Sequence, residues 1–194
     1  MSMVVIKDGV IAADKQMLVN CGTRVEYREP GLKLHIEDEK RFVIGIVGSD
    51  PLPVDVALIR TLLTARLTAF YLSYDEGNPL EFTDEEAMVL TGYAVGNARR
   101  LYVCTAENLW FICYDEDKKE LTVRAEDITR FHCTGSEINF ANTYHKAGLG
   151  AVDMINRLNK QTATCGMGCD YYVLSDLKKF PRKVPTPRKA KASK

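Results

Sequence analysis

Residues 2–14 read SMVVIKDGVIAAD, and this stretch decides the fold. Two apolar runs flank Asp8 and Gly9, and an Asp-Gly pair between such runs is a strong short-range signal for a β-hairpin. The first run starts at the end of the chain, so the strand that it predicts buries the N-terminus instead of leaving it to fray. The stretch therefore predicts an N-terminus that is held in place by a strand.

A buried N-terminus at Ser2 has a specific chemical capability. Small second residues such as Ser permit removal of Met1, which leaves a hydroxyl and a free α-amine on Ser2. Such an amine has a reference pKa of about 7.7–8.0, so it can act as a general base and activate its own hydroxyl as a nucleophile. A nearby Lys ammonium keeps the amine neutral by repulsion, and a carboxylate fixes that Lys. Lys33 and Asp14 are the candidates for these two roles.

These residues resemble the proteasome β-type N-terminal-nucleophile (Ntn) hydrolases, and most closely the short proteasome-like proteins of bacteria and phages. The resemblance lies in Asp-Gly-Val-x-Ala-Ala-Asp after the first strand, a Lys on a later strand and an apolar strand that ends in Gly-Ser. It implies that Ser2 takes the place of the family's N-terminal Thr and Lys33 that of its catalytic Lys. It also implies that the backbone N–H of Gly48 forms the oxyanion hole.

The order of predicted elements to about residue 176 agrees with this resemblance. The resemblance implies an α+β fold, a four-layer αββα sandwich of two antiparallel sheets. The hydrophobic patterns of the sequence alone favour an α+β fold without further detail. A capping-box signature at Thr83 predicts a short helix. The predicted segments that matter most below are a strand within Met17 to Glu29, a strand at Phe131 to Cys133, helices over residues 137–147 and 149–160, and a last strand over residues 169–175.

Two parts of the family's catalytic site have no unambiguous match in this sequence. The family places a Ser of a Gly-Ser-Gly segment near the N-terminal amine, and here either Thr134 or Ser136 corresponds to it. The family also has an Asp three residues before a Ser-Gly-Gly. In this chain Thr164 replaces the Ser, and Gln161, a neutral amide, stands where the Asp is expected. Asp170 is a possible substitute, but at the wrong spacing.

The chain is acidic with a basic end. Of its 194 residues, 46% are hydrophobic, which is enough for one domain with a sizeable core. The net charge is zero, yet residues 178–194 contain eight of the 26 basic residues and none of the 26 acidic ones. We therefore predict a proteasome-like domain over residues 1–176 and a basic, disordered tail over residues 177–194, which is too poor in apolar residues to fold alone.

Two functions are compatible with these observations. The first is peptide or amide hydrolysis by Ser2, with Asp14, Lys33, Gly48 and either Thr134 or Ser136 in the site; the sequence does not separate a peptidase from an amidase. The second is an inactive Ntn-fold module for binding or assembly, whose tail contacts nucleic acid or an acidic partner. The resemblance implies a homo-oligomer. We expect no cofactor, no metal, no membrane association, and a cytoplasmic location, in the host cytoplasm if a phage encodes the chain.

Overall fold

The computed structural model describes residues 3–21, 24–48, 53–73, 80–95, 99–162 and 165–182, without the side chains of residues 17–21, 24–30 and 53. The strands in this part of the chain are β1 (Met3–Lys7), β2 (Val10–Asp14), β3 (Gln16–Cys21), β4 (Arg24–Pro30), β5 (Leu34–Ile36), β6 (Phe42–Val47), β7 (Arg100–Thr105), β8 (Leu109–Asp115), β9 (Glu120–Glu126), β10 (His132–Gly135) and β11 (Cys169–Val173). The helices are α1 (Pro53–Leu72), α2 (Asp84–Val95), α3 (Ile138–Lys146) and α4 (Ala151–Gln161).

The predicted N-terminal hairpin is present. Lys7 pairs with Val10 in the antiparallel β1–β2 ladder, and the two residues between them are Asp8, with φ 52°, and Gly9, with φ 73°. Positive φ at both central positions is the geometry of the tight turns that join such strands, and Gly and Asp adopt it at little cost. The turn therefore fixes the register of β1 on β2, and with it the position of Asp14.

The elements form the α+β sandwich that was predicted. One antiparallel sheet has the strand order β10-β1-β2-β11 and the other has the order β5-β6-β7-β8-β9. One buried cluster joins α1 and α2 to the five-stranded sheet, a second fills the space between the sheets, and a third joins α3 and α4 to the four-stranded sheet. Apolar burial on both faces of each sheet thus produces four layers, and the starts of β1 and β7 lie at one end of them.

Several segment predictions change in detail. The stretch from Met17 to Glu29 lies not in one strand but in two, β3 and β4, which pair with each other in a small sheet with an irregularity between Val19 and Asn20. The last strand ends at Val173 and is followed by a short 3₁₀ turn. The capping box of α2 is confirmed, because the Thr83 N–H donates to the Glu86 carboxylate and the Glu86 N–H donates to the Thr83 hydroxyl.

The packed chain extends further than residue 176. Leu177 and Phe180 are buried, and the ring of Phe180 stacks on that of Tyr71 with 4.8 Å between the centroids. Lys179 and Arg182 both bind the carboxylate of Glu107. The predicted boundary is therefore too early, because two apolar side chains are enough to dock this segment on the core; residues 183–194 lie outside the described part. Among the helices described, none has both the length and the apolarity needed to cross a membrane.

Gly45 sets how closely the two sheets approach each other. A Cβ at Gly45 would lie 3.0 Å from Ile11 Cδ1 and 3.1 Å from Val4 Cγ1, both of them buried side chains of the facing sheet. We expect Gly45→Ala to lower the free energy of unfolding by about 1–3 kcal/mol, because tightly packed cores accommodate an added methyl group poorly. Equilibrium unfolding in denaturant measures this change.

Gly92 in α2 is the matched control for this substitution. A Cβ there meets nothing within 4 Å, and Ala is the better helix former, so Gly92→Ala should stabilise the chain by about 0.5–1 kcal/mol. Equal effects of the two substitutions would show that the spacing of the sheets does not depend on Gly45.

Candidate active site

The carboxylate of Asp14 is the centre of the site. Its Oδ2 accepts a hydrogen bond from the Lys33 ammonium at 2.6 Å and from the backbone N–H of Gln16 at 3.1 Å. Its Oδ1 accepts from the backbone N–H of Met3 at 2.7 Å. Both oxygens are thus engaged with charged or backbone donors, so the buried carboxylate has hydrogen-bond partners in place of water.

The Asp14–Lys33 ion pair connects the two sheets. Asp14 is the last residue of β2, and Lys33 directly precedes β5, where its carbonyl accepts the Ile46 N–H at 2.8 Å. The exposed fractions are 1% for Asp14 and 5% for Lys33. Because water is excluded, each charge depends on the other and on the backbone donors around it. The structure therefore brings together two of the residues predicted from the sequence.

Thr134 and Ser136 have different surroundings. Thr134 lies on β10 directly opposite Val4, is 4% exposed, and its hydroxyl accepts a hydrogen bond from the Arg100 guanidinium at 3.4 Å. Ser136 is exposed in the turn that follows β10. Gly135 between them pairs with Met3. Met3 is thus flanked by Asp14 on one neighbouring strand and by the Thr134–Ser136 segment on the other.

Gly48 follows the last residue of β6 with φ 132°, which is a conformation that side chains rarely adopt. The backbone at the end of this strand therefore requires a glycine, whichever role its N–H has. Ser2 and Thr164 lie outside the described residues. The contacts given above are therefore those of residues near the predicted nucleophile, Ser2, and not of Ser2 itself.

Neither candidate for the missing Asp reaches the ion pair. Gln161 is exposed at the end of α4, where its side-chain oxygen accepts the hydroxyl proton of Tyr144. Asp170 pairs with Ala13 across β11 and β2 and binds the Lys15 ammonium at 3.0 Å. Because neighbours along a strand face opposite sides of a sheet, Asp170 and Asp14 lie on opposite faces. Asp170 as a substitute for the missing Asp is therefore contradicted.

Cys165 is a neighbour of the ion pair that sequence reasoning missed. It is 2% exposed, and burial, followed by the charge of Asp14, raises the pKa of its thiol to about 11. The thiol is therefore protonated at neutral pH and is a poor nucleophile. Cys165 belongs to the buried cluster that joins α3 and α4 to the four-stranded sheet. An apolar-looking Cys in a Gly-rich segment carries no sequence signal for this position.

Comparisons with known proteins show the fold. No family model matches the chain, and no curated protein matches it. Among solved structures, eukaryotic HslV from Trypanosoma brucei is similar over 88% of this chain and 97% of its own, with 19% identity and a TM-score of 0.53. BPH from Thiobacillus denitrificans has 15% identity over 88% of this chain and 95% of its own, with a TM-score of 0.49. Anbu from Yersinia bercovieri has 12% identity over 88% of this chain and 79% of its own, with a TM-score of 0.46.

These three proteins are proteasome-type Ntn hydrolases. The likeness to HslV extends over 97% of that chain, and it agrees with the α+β sandwich of two antiparallel sheets described above. The chain therefore has the fold of the proteasome-type Ntn hydrolases.

Proposed function

We propose that the chain is an Ntn hydrolase that cleaves amide bonds with Ser2 after removal of Met1. The observation that carries this proposal is the buried bridge from Lys33 through Asp14 to the backbone N–H of Met3, the residue covalently bonded to Ser2. A buried ion pair is a costly way to connect two sheets, because both charges lose their hydration. At this position it supplies what an N-terminal nucleophile needs, a fixed ammonium beside the start of the chain.

The reaction would follow the acyl-transfer scheme of a self-activated serine. The Ser2 hydroxyl attacks the substrate carbonyl while the α-amine takes its proton, directly or through a water. The Gly48 N–H donates to the oxyanion that develops, an interaction typically worth about 3–4 kcal/mol. The amine then protonates the leaving nitrogen, and a water molecule hydrolyses the ester on Ser2. Thr134 lies beside β1 and would help to position the amine.

A second candidate is an inactive Ntn-fold module. It is favoured by Gln161, which stands at the position expected for the supporting Asp and points to Tyr144. In that case the basic residues after Leu177 would contact nucleic acid or an acidic partner, an attraction that salt would weaken. For both candidates the proposal includes assembly into a homo-oligomer. If the chain is an active hydrolase, the proposal is that it cleaves peptides and not small amides.

The state of the N-terminus separates the two candidates. We expect the intact mass of the purified protein to be short by one Met residue, because only a free Ser2 amine can act as the base. Electrospray mass spectrometry of the whole chain measures this directly, and N-terminal sequencing is the control for trimming elsewhere. A mass that includes Met1 would rule out self-activation, since the nitrogen of Ser2 would then be an amide with no basic lone pair.

A further inference from the structure

A cavity lined by three arginines adjoins the site and has no role in the scheme above. Its volume is about 490 Å³, and it opens between the end of α2 and strands β7, β8 and β9. Its principal side chains, called the arginine pocket below, are Arg99, Arg100, Phe111, Cys113, Thr122 and Arg124. The volume lies within the range of pockets that hold small ligands or single side chains.

The arginine pocket is continuous with the space between the two sheets. Arg100 pairs with Cys113, and Cys113 pairs with Thr122, so these side chains share one face of the five-stranded sheet. Phe111 lies on the same face and packs against the cluster between the sheets. Because Arg100 also donates to the Thr134 hydroxyl, the pocket reaches the segment that flanks Met3.

The three arginines of the pocket differ in whether a carboxylate binds them. Arg99 contacts Asp55 at 3.5 Å and lies over the Tyr93 ring, and Arg124 contacts Glu126 at 3.4 Å. Among the described residues, Arg100 forms no ion pair with a carboxylate, and its guanidinium donates a hydrogen bond to the neutral hydroxyl of Thr134. Arg100 lines the pocket and is exposed, so its guanidinium, which carries five N–H donors, can bind a further acceptor there.

The other polar groups of the lining favour a ligand with a single negative charge. Thr122 Oγ1 is buried and has no hydrogen-bond partner in the described part of the chain, so it is available to donate. Asp115 also lines the pocket, where its carboxylate accepts the backbone N–H groups of Asp117 and Lys118, both at 3.1 Å. A carboxylate meets less repulsion from Asp115 and the neighbouring Glu116 than a doubly charged phosphate does.

We propose that the arginine pocket binds the carboxylate of an Asp or Glu side chain of the substrate, and that it directs cleavage to acidic peptides. Guanidinium groups bind carboxylates through two parallel hydrogen bonds, and the Phe111 ring holds the Arg124 guanidinium in the lining, with its Cζ 5.1 Å from the ring centroid. The assignment of the ligand as a substrate rests on the proposed hydrolase function, whereas the binding chemistry does not.

The test compares peptides that differ only by Glu, Gln or Lys, placed in turn at each position around the scissile bond. For the best position we expect kcat/KM of the Glu peptide to exceed that of the Gln peptide by about 10–100-fold, the range for a hydrogen-bonded charge. Arg124→Glu should abolish this ratio and favour the Lys peptide. Arg130→Gln is the matched control, because Arg130 is exposed and bonded to Asp127 outside the pocket. If kcat/KM of the Glu peptide equals that of the Gln peptide at every position, the inference about the pocket is wrong, whereas the proposal of hydrolysis by Ser2 is unaffected.

Binding without turnover separates the two proposals. Calorimetry of the Glu and Gln peptides with the full-length Ser2→Ala protein should show the same 10–100-fold preference, and the Glu peptide should protect Cys113 from alkylation. If no peptide is cleaved but this preference and protection are found, the pocket is supported and the hydrolase proposal fails. Tighter binding of inorganic phosphate than of the Glu peptide would overturn the assignment to an acidic side chain.

Discussion

Replacement of Ser2 by Ala is expected to lower kcat for amide hydrolysis by at least about 10³-fold, because loss of the nucleophile leaves only binding and the oxyanion donor. Ala, like Ser, is small enough to permit removal of Met1, so this variant keeps the free α-amine and loses only the hydroxyl. The substitution removes a single hydroxyl group, so we expect the free energy of unfolding to stay within about 0.5 kcal/mol of the parent. Turnover of a panel of fluorogenic peptides, with intact mass measured on each sample, provides the test.

Ser2→Thr is the conservative partner of this variant. Thr retains a hydroxyl on the N-terminal residue, and the resembled family has Thr at this position. We expect kcat of Ser2→Thr to be lower than that of the parent by no more than about 10-fold, because the added methyl group lies beside the reacting atom. Activity that is equal in the parent and in Ser2→Ala would place any hydrolysis elsewhere on the protein. Activity that is absent in all three, with Met1 removed, would favour the inactive module.

Local chemistry explains what the sequence could predict. The turn at Asp8 and Gly9 requires positive φ at two successive residues, and the capping box of Thr83 and Glu86 lies within one helical turn. Such signals act between near neighbours, so they can be read from the chain. The pairing of Asp14 with Lys33 follows from the hairpin together with the family resemblance, because the register of β2 fixes where the carboxylate lies.

The remaining features depend on contacts between residues far apart in the sequence. Arg100 reaches Thr134 across two sheets, and nothing near either residue indicates this contact. Phe180 follows two lysines in a segment whose composition predicts disorder, yet it stacks on Tyr71. Composition averages over a segment, whereas docking depends on whether one apolar side chain meets a matching surface. The sequence therefore predicted the hairpin better than it predicted the end of the domain.

Gln161 shows the same limitation within the site. Counting residues placed it where the family has an Asp, and the structure places it at the exposed end of α4. A helix end can shift by a residue and turn a side chain away from a site that the aligned position implies. Asp14 is the carboxylate that the structure shows bonded to Lys33, at 2.6 Å, and it lies on a different element from Gln161.

Replacement of Lys33 by Met is expected to lower the free energy of unfolding by about 3–5 kcal/mol, since it leaves the Asp14 carboxylate buried without a counter-charge. Asp14→Asn should have a similar effect, because an amide provides one acceptor oxygen where the carboxylate uses two, one towards Met3 and one towards Lys33 and Gln16. The double variant should lose much less than the sum of the two, because no charge is then buried alone. Equilibrium unfolding in denaturant of the four proteins gives the coupling energy.

Lys15→Met is the matched control for this cycle. Lys15 binds Asp170 at 3.0 Å with side chains that are 33% and 27% exposed, so water screens the pair and its removal should cost less than about 1 kcal/mol. The contrast between the two lysines tests whether burial makes the Asp14–Lys33 pair essential. Equal losses for Lys33→Met and Lys15→Met, or additive losses in the double variant, would show that the two charges do not depend on each other, and the bridge to Met3 would no longer support a catalytic N-terminus.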